Sequence, residues 1–241
     1  MLGLSLSVSN LSATSSDTLL FSNVGAAFWP GFQASYLAGL AAKPALSNAS
    51  LTDWGLSISG ASNWFGGVSG LDGKVYGIPY SGNNILIIDP ETNSASLTSM
   101  GVSLSGSAKW AGGVLAPDRK IYGIPRDSAD ILIIDPAAGT AIRSTMGASI
   151  SGGVNWCGGV LGPDGKIYCM PLSADDILII DPATGTATRT TMGADLSDED
   201  KFFGGVLGPD GKIYGIPGSS PNILIIDPAT GTATRSTMGA S

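Results

Sequence analysis

The sequence predicts an all-β protein, a β-propeller of four 46-residue, four-stranded blades (54–99, 100–145, 146–191 and 192–241) behind a non-repeat N-terminal segment. Three observations carry this. Met100, Met146, Met192 and Met238 recur 46 residues apart, each followed by Gly. The same step links Trp64, Trp110, Trp156 and Phe202, and also Tyr76, Tyr122, Tyr168 and Tyr214. Within each period, short apolar runs alternate with hairpin-type turns, which is the pattern of one propeller blade.

Residues 1–53 do not match the repeat. They open on a mildly apolar stretch with no Lys or Arg before it, unlike a cleaved secretory signal. Apolar clusters surround Trp29-Pro30, and a short helix is expected over 33–42. This segment reads as a packed cap or as a docking segment, with disorder as the remaining alternative.

Each blade then follows one order, shown best by the third. Trp156 to Leu161, WCGGVL, is the first strand, where Gly-Gly permits close backbone approach at a crowded axis and the leading aromatic wedges between blades. Pro163-Asp164-Gly165 closes a hairpin, since Asp-Gly suits the tight turn between antiparallel strands. Lys166 to Met170 is the second strand, stopped by Pro171, which has no N–H to give to a ladder. Ile177 to Ile180, ILII, is apolar on both faces and suits burial between neighbouring blades. Asp181-Pro182-Ala183-Thr184-Gly185 is the next turn, and Thr186 to Met192, alternating small and polar residues, is the outer strand. A β-solenoid is the rival architecture, but its coils usually repeat in fewer residues. The copy number leaves closure open. Either four blades close alone, or residues 1–53 or a second chain must cover the remaining apolar blade face.

The copies differ mainly in two loop sets. The loops joining second to third strand are Tyr80–Asn84, Arg126–Asp130, Leu172–Asp176 and Gly218–Asn222; the connections between blades span 55–63, 101–109, 147–155 and 193–201. Alternating strand direction puts both sets on one end of the propeller, and rigidly held loops are where recognition residues concentrate. The candidate ligand-binding residues are Tyr80, Arg126, Asp130, Asp175 and Asp176, side chains able to contact a polar ligand such as a glycan. Loops also diverge when little constrains them. Asp195, Asp198, Glu199 and Asp200 form an acidic run that reads as a solvated loop more readily than as a cation site.

Composition removes several functions. The net charge is -7 with no Lys/Arg cluster, so no nucleic-acid partner is expected, and no apolar run is long enough for membrane insertion. The chain has no histidine, which removes Ser-His-Asp and Cys-His machinery. The repeated Asp89, Asp135, Asp181 and Asp227, and Asp72, Asp118, Asp164 and Asp210, sit in constant turns and read as turn formers. Cys157 and Cys169 read as small buried thiols, with a cross-strand disulfide as the alternative. No catalytic residue, metal or cofactor is expected.

The units GGVLGPDGKIYGIP and ILIIDPATGTATRTTMG resemble blades of kelch-like and NHL-like repeat propellers of bacterial and viral type, over residues 54–241. The DGKIY and IDPATG pieces are also similar to those of streptogramin lyases, seven-bladed enzymes whose expected dependence on histidine this sequence does not meet. The Ser/Gly-rich repeats behind an unmatched N-terminus resemble a phage tail-fibre or virion appendage subunit. That implies a virion or cell-surface location. It also implies a non-catalytic module recognising a host-surface glycan or protein, and homo-oligomer formation or attachment to a larger assembly through residues 1–53. The alternatives are a structural subunit with no ligand and a lyase- or hydrolase-type enzyme using the loop carboxylates Asp175 and Asp176.

Overall fold

A computed structural model describes residues 54–198 and 201–237. The helix expected over 33–42, the cap or docking segment, Glu199, Asp200 and Met238 lie outside these residues.

The described chain is sixteen strands in four antiparallel sheets, one per repeat, as the period predicts. The first blade holds β1 (Trp64–Ser69), β2 (Val75–Pro79), β3 (Ile85–Asp89) and β4 (Ser94–Thr98). The second holds β5 (Trp110–Leu115), β6 (Ile121–Pro125), β7 (Ile131–Asp135) and β8 (Thr140–Ser144). The third holds β9 (Trp156–Leu161), β10 (Ile167–Pro171), β11 (Ile177–Asp181) and β12 (Thr186–Thr190). The fourth holds β13 (Phe202–Leu207), β14 (Ile213–Pro217), β15 (Ile223–Asp227) and β16 (Thr232–Ser236). Each sheet runs in simple sequence order, so hairpins make every connection within a blade.

The turn residues act as their chemistry requires. In the first hairpin of the second blade the Ala116 amide donates to Lys120 O at 2.9 Å, and Tyr122 Oη donates to Asp118 Oδ2 at 2.9 Å. The same tyrosine–aspartate bond recurs in the other three blades. Burial and the adjacent carboxylate hold the Tyr122 proton well above its usual range. Where the other copies use Gly in this turn, Arg119 takes a left-handed φ of 70°. In the second turn type, Asp181 Oδ1 accepts the Ala183 and Thr184 amides. The repeated aspartates are therefore engaged in turn bonds.

Successive blades interlock. The first strands contact each other in series, β1 with β5, β5 with β9 and β9 with β13. Glycine permits this: a methyl group on Gly66 would lie 3.4 Å from Gly112 Cα, one on Gly112 3.3 Å from Gly158 Cα, and one on Gly158 2.9 Å from Gly204 Cα. The three large cores lie between blades. That between the second and third joins Val114, Tyr122 and Ile124 to Trp156, Leu178 and Ile180; equivalent residues build the other two. The leading aromatic is thus a wedge, as expected, with Trp110, Trp156 and Phe202 fully buried. Each indole Nε1 donates 2.8 Å to the backbone carbonyl just before the third strand, at Asn84, Asp130 and Asp176. Cys157 and Cys169 are free and buried; no disulfide joins them. No comparable contact joins β13 to β1, so the described blades form an open arc.

Candidate functional site

The variable loops do converge on one end of the arc, and backbone hydrogen bonds show how. The residue preceding each leading aromatic and the residue following each blade's Pro alternate in one running chain along the rim. The Tyr80 amide donates to Asn63 O at 2.8 Å, Lys109 to Tyr80 O at 2.9 Å, Arg126 to Lys109 O at 2.9 Å and Asn155 to Arg126 O at 2.9 Å. Leu172, Lys201 and Gly218 continue it to the fourth blade.

Side chains reinforce this rim. Lys109 is 4% exposed, and its Nζ donates to the carbonyls of Tyr80 at 3.0 Å, Gly82 at 3.1 Å and Gly106 at 2.6 Å. Burial, followed by the charge of Arg143, pulls its pKa below the usual lysine range. Asn155 does the same job in the third blade through Nδ2 to Arg126 O and Ser151 O. The loops are therefore pinned through their backbones, and the side chains carried by the rim are positioned rather than trailing.

On this rim the structure brings Tyr80 and Arg126 together. The Arg126 guanidinium lies 5.5 Å from the Tyr80 ring centre, within cation–π range, and pairs with Asp127 at 3.4 Å. The Phe65 ring sits 5.6 Å from the Tyr80 ring at 34°, and Phe65 is 46% exposed. Beneath, Ala111, Cys157 and Leu172 form a small apolar floor against which Tyr80 and Val154 pack. Burial pushes the Cys157 thiol up, with Arg126 acting in the opposite sense. Two aromatic rings and a guanidinium on an apolar floor can stack a planar or sugar-like face while holding an anionic group.

Asp130 and Asp176 are placed differently. Asp130 Oδ2 pairs with Arg143 at 2.9 Å, and Asp176 Oδ2 with Arg189 at 2.9 Å. These arginines lie 5.5 Å from the Trp110 ring centre and 5.3 Å from that of Trp156. Each donates as well to the carbonyl of Ser103 or Ser149 in the connection between blades. The two aspartates are thus members of Trp–Arg–Asp stacks, one within the second blade and one within the third. Asp175 is exposed beside Asp176. In the acidic run, Asp195 binds the Ser197 amide and hydroxyl and Asp198 pairs with Arg235. No group of three or more metal-ligating side chains occurs among the described residues.

Two features went unread in the sequence. Phe65 is one, since its equivalents are Ala111, Cys157 and Phe203 and the position looked merely variable. The other is a cleft of about 190 Å³ on the first blade, lined by Ser57, Ser59, Asn63, Trp64, Asn84 and Leu97. Leu97 stands where Arg143 and Arg189 stand, and Asn84 where Asp130 and Asp176 stand. The first blade lacks the stack, and the cleft is the space an arginine fills elsewhere.

No protein-family model and no curated protein matches the chain. Solved structures do. The chain is similar to virginiamycin B lyase from Staphylococcus aureus, with 17% identity and a TM-score of 0.58 over 74% of this chain and 57% of that one. It is also similar to an auxiliary nutrient binding protein from Bacteroides ovatus, with 18% identity and a TM-score of 0.55 over 75% and 43%. A third is Kuenenia stuttgartiensis hydrazine synthase, with 18% identity and a TM-score of 0.53 over 74% and 50%. These likenesses show a repeat β-propeller fold. The chain spans less than two thirds of the length of each.

Proposed function

We propose that this chain is a non-catalytic binding module that takes an acidic glycan at the Tyr80–Arg126 rim. One observation carries the reading: among the described residues the Phe65–Tyr80–Arg126 cluster exists once, although the scaffold beneath it repeats four times. A feature needed for folding recurs in every blade, as the Trp wedge and the Tyr–Asp bond largely do. At the rim the copies place Tyr80, Arg126, Leu172 and Gly218 in succession. Aromatic rings present apolar faces suited to sugar rings, and a guanidinium binds carboxylates in a bidentate manner.

The absence of catalysis is part of the proposal. A histidine-to-alanine variant of virginiamycin B lyase from Staphylococcus aureus is catalytically inactive, and no histidine occurs in these 241 residues. Of the loop carboxylates Asp175 and Asp176, Asp176 is paired with Arg189. A virion or cell-surface setting, with attachment through residues 1–53, belongs to the same proposal and is supported by the mismatch of that segment to the repeat.

The test is a glycan array carrying neutral and carboxylate-bearing sugars, probed with the full chain and with Tyr80→Ala and Arg126→Ala. The reading expects retention on acidic glycans, weakened about tenfold or more by either substitution. No retention, or retention that both variants preserve, overturns it.

A further inference from the structure

We infer that the cleft on the first blade is a binding site for a guanidinium group brought from outside the chain. The argument rests on what fills the same place in the other three blades. Each outer strand there carries an arginine at one register position, with Arg143 facing Leu132, Arg189 facing Leu178 and Arg235 facing Leu224. All three guanidinium groups donate to one backbone carbonyl of the connection leading into the blade, that of Ser103 at 3.4 Å, Ser149 at 2.7 Å and Asp195 at 3.1 Å. Arg143 and Arg189 also lie against the leading tryptophan, and each of the three pairs with a carboxylate, Asp130, Asp176 or Asp198. The fold therefore builds a guanidinium seat into each of these blades.

In the first blade the seat is kept and its occupant is missing. Leu97 takes the arginine's register position, facing Leu86. The space it leaves is the cleft of about 190 Å³, bordered by Ser57, Asn63, Trp64 and Asn84. Trp64 is fixed as in the other blades, its Nε1 donating 2.8 Å to the Asn84 carbonyl, so the ring stands beside the cleft as Trp110 and Trp156 stand beside their arginines. Ser57 holds the position of Ser103 and Ser149. Among the described residues no hydrogen bond engages the Ser57 carbonyl or the Asn84 carboxamide. Asn63 Nδ2 donates to Ser59 O at 2.9 Å and holds the connection in shape without a ligand. Every bordering residue belongs to the first blade or its leading connection, so two replacements make the cleft, Leu for Arg and Asn for Asp.

The chemistry of the seat selects the ligand. A tryptophan face attracts a flat cation, and carbonyl acceptors suit N–H donors spread in a plane. A guanidinium offers both, whereas an ammonium lacks the plane and urea lacks the charge. Asn84 can accept through Oδ1 but carries no charge, so it holds a guanidinium less firmly than an aspartate would. None of Phe65, Tyr80 or Arg126 borders the cleft, so the inference stands apart from the glycan reading.

The test is a titration of the isotope-labelled full chain, followed by nuclear magnetic resonance at the Trp64 indole N–H, which Trp64→Phe identifies. Methylguanidinium is compared with methylammonium and urea at matched ionic strength. The inference expects a saturable shift with methylguanidinium and none with the other two. Leu97→Arg, at an exposed position, is expected to abolish the shift by filling the seat from within the chain. Asn84→Asp is expected to tighten binding about tenfold and decides the matter should the first variant fold poorly. A peptide with one arginine, acetyl-Gly-Arg-Gly-amide, identifies the source of the group. A saturable shift with it supports a partner's arginine side chain, and a shift with methylguanidinium alone supports a small free guanidinium compound. No saturable shift with methylguanidinium, an equal response to urea or methylammonium, binding that persists in Leu97→Arg, or binding that Asn84→Asp fails to tighten overturns the inference.

Discussion

If the blades are held by a knob seated over glycine, then replacing Ile124 by Ala and Gly159 by Ala must give strongly coupled effects. Ile124 is fully buried between the second and third blades, and its truncation removes three carbons from a closed site. Substitutions of this kind cost about 2–5 kcal/mol. Gly159→Ala acts in the other direction. Its backbone lies outside the left-handed region, so the added methyl brings no conformational penalty, but it would sit 2.8 Å from Ile124 Cδ1 and 3.2 Å from Ile167 Cγ2. Overpacking of that degree costs about 1–3 kcal/mol. In the double variant the methyl occupies space that Ile124 has vacated, so the two losses fall short of their sum by about 1–2 kcal/mol, as in-contact pairs do. Urea unfolding followed by tryptophan fluorescence, extrapolated to water, gives all three values. A neutral Gly159→Ala, or losses that simply add, would refute the interlock and with it the explanation of the repeated Gly-Gly pair.

Grafting the missing stack into the first blade, by Leu97→Arg with Asn84→Asp, should fill the cleft at Trp64 and add about 1 kcal/mol. Calorimetry should then show Tm higher by about 2–4 °C, with an unchanged Tm counting against the stack as a stabilising unit. Cys157 and Cys169 are buried and their thiols are held protonated by that burial. Ellman's reagent should therefore titrate neither in the native protein and both after denaturation, whereas a fast native reaction would mean that the floor beneath Tyr80 is open. Stability should be flat between about pH 5 and 8, because the chain has no histidine. Asp89, Asp195 and Asp210 have folded pKa values below 3.8. Their contribution is thus present above that value and lost as pH falls through the folded ones. Tyr76, Tyr122, Tyr168 and Tyr214 are raised above 10.0 and Cys157 and Cys169 above 9.0, so their contribution is lost as pH rises beyond those values, six groups against the single opposing shift of Lys109. Thermal melts across pH that peak sharply near neutrality would contradict this.

Most of the blade was legible because its signals are local. Strands start at the leading aromatic and end at Pro125 or Asp135, where backbone chemistry stops a ladder regardless of what packs above. The Trp–Arg–Asp stack was less visible. Asp176 and Arg189 are 13 residues apart and meet only through the β11–β12 register, in which Leu178 faces Arg189. Read without that register, Asp130 and Asp176 show no sign of their arginine partners. Tyr80 and Arg126 meet because the rim zips neighbouring blades together, a contact 46 residues long that the variable loops reveal only as divergence. Closure was illegible for another reason. Identical repeats carry the same residues whether a ring is complete or open.

Hydrogen exchange on the full chain, with and without an acidic glycan retained by the array, tests the recognition rim most directly. The account predicts slowed exchange over 80–84 and 126–130, with the opposite-end turns at 70–73 and 116–119 unchanged. Protection at those turns, or at neither end, would contradict it.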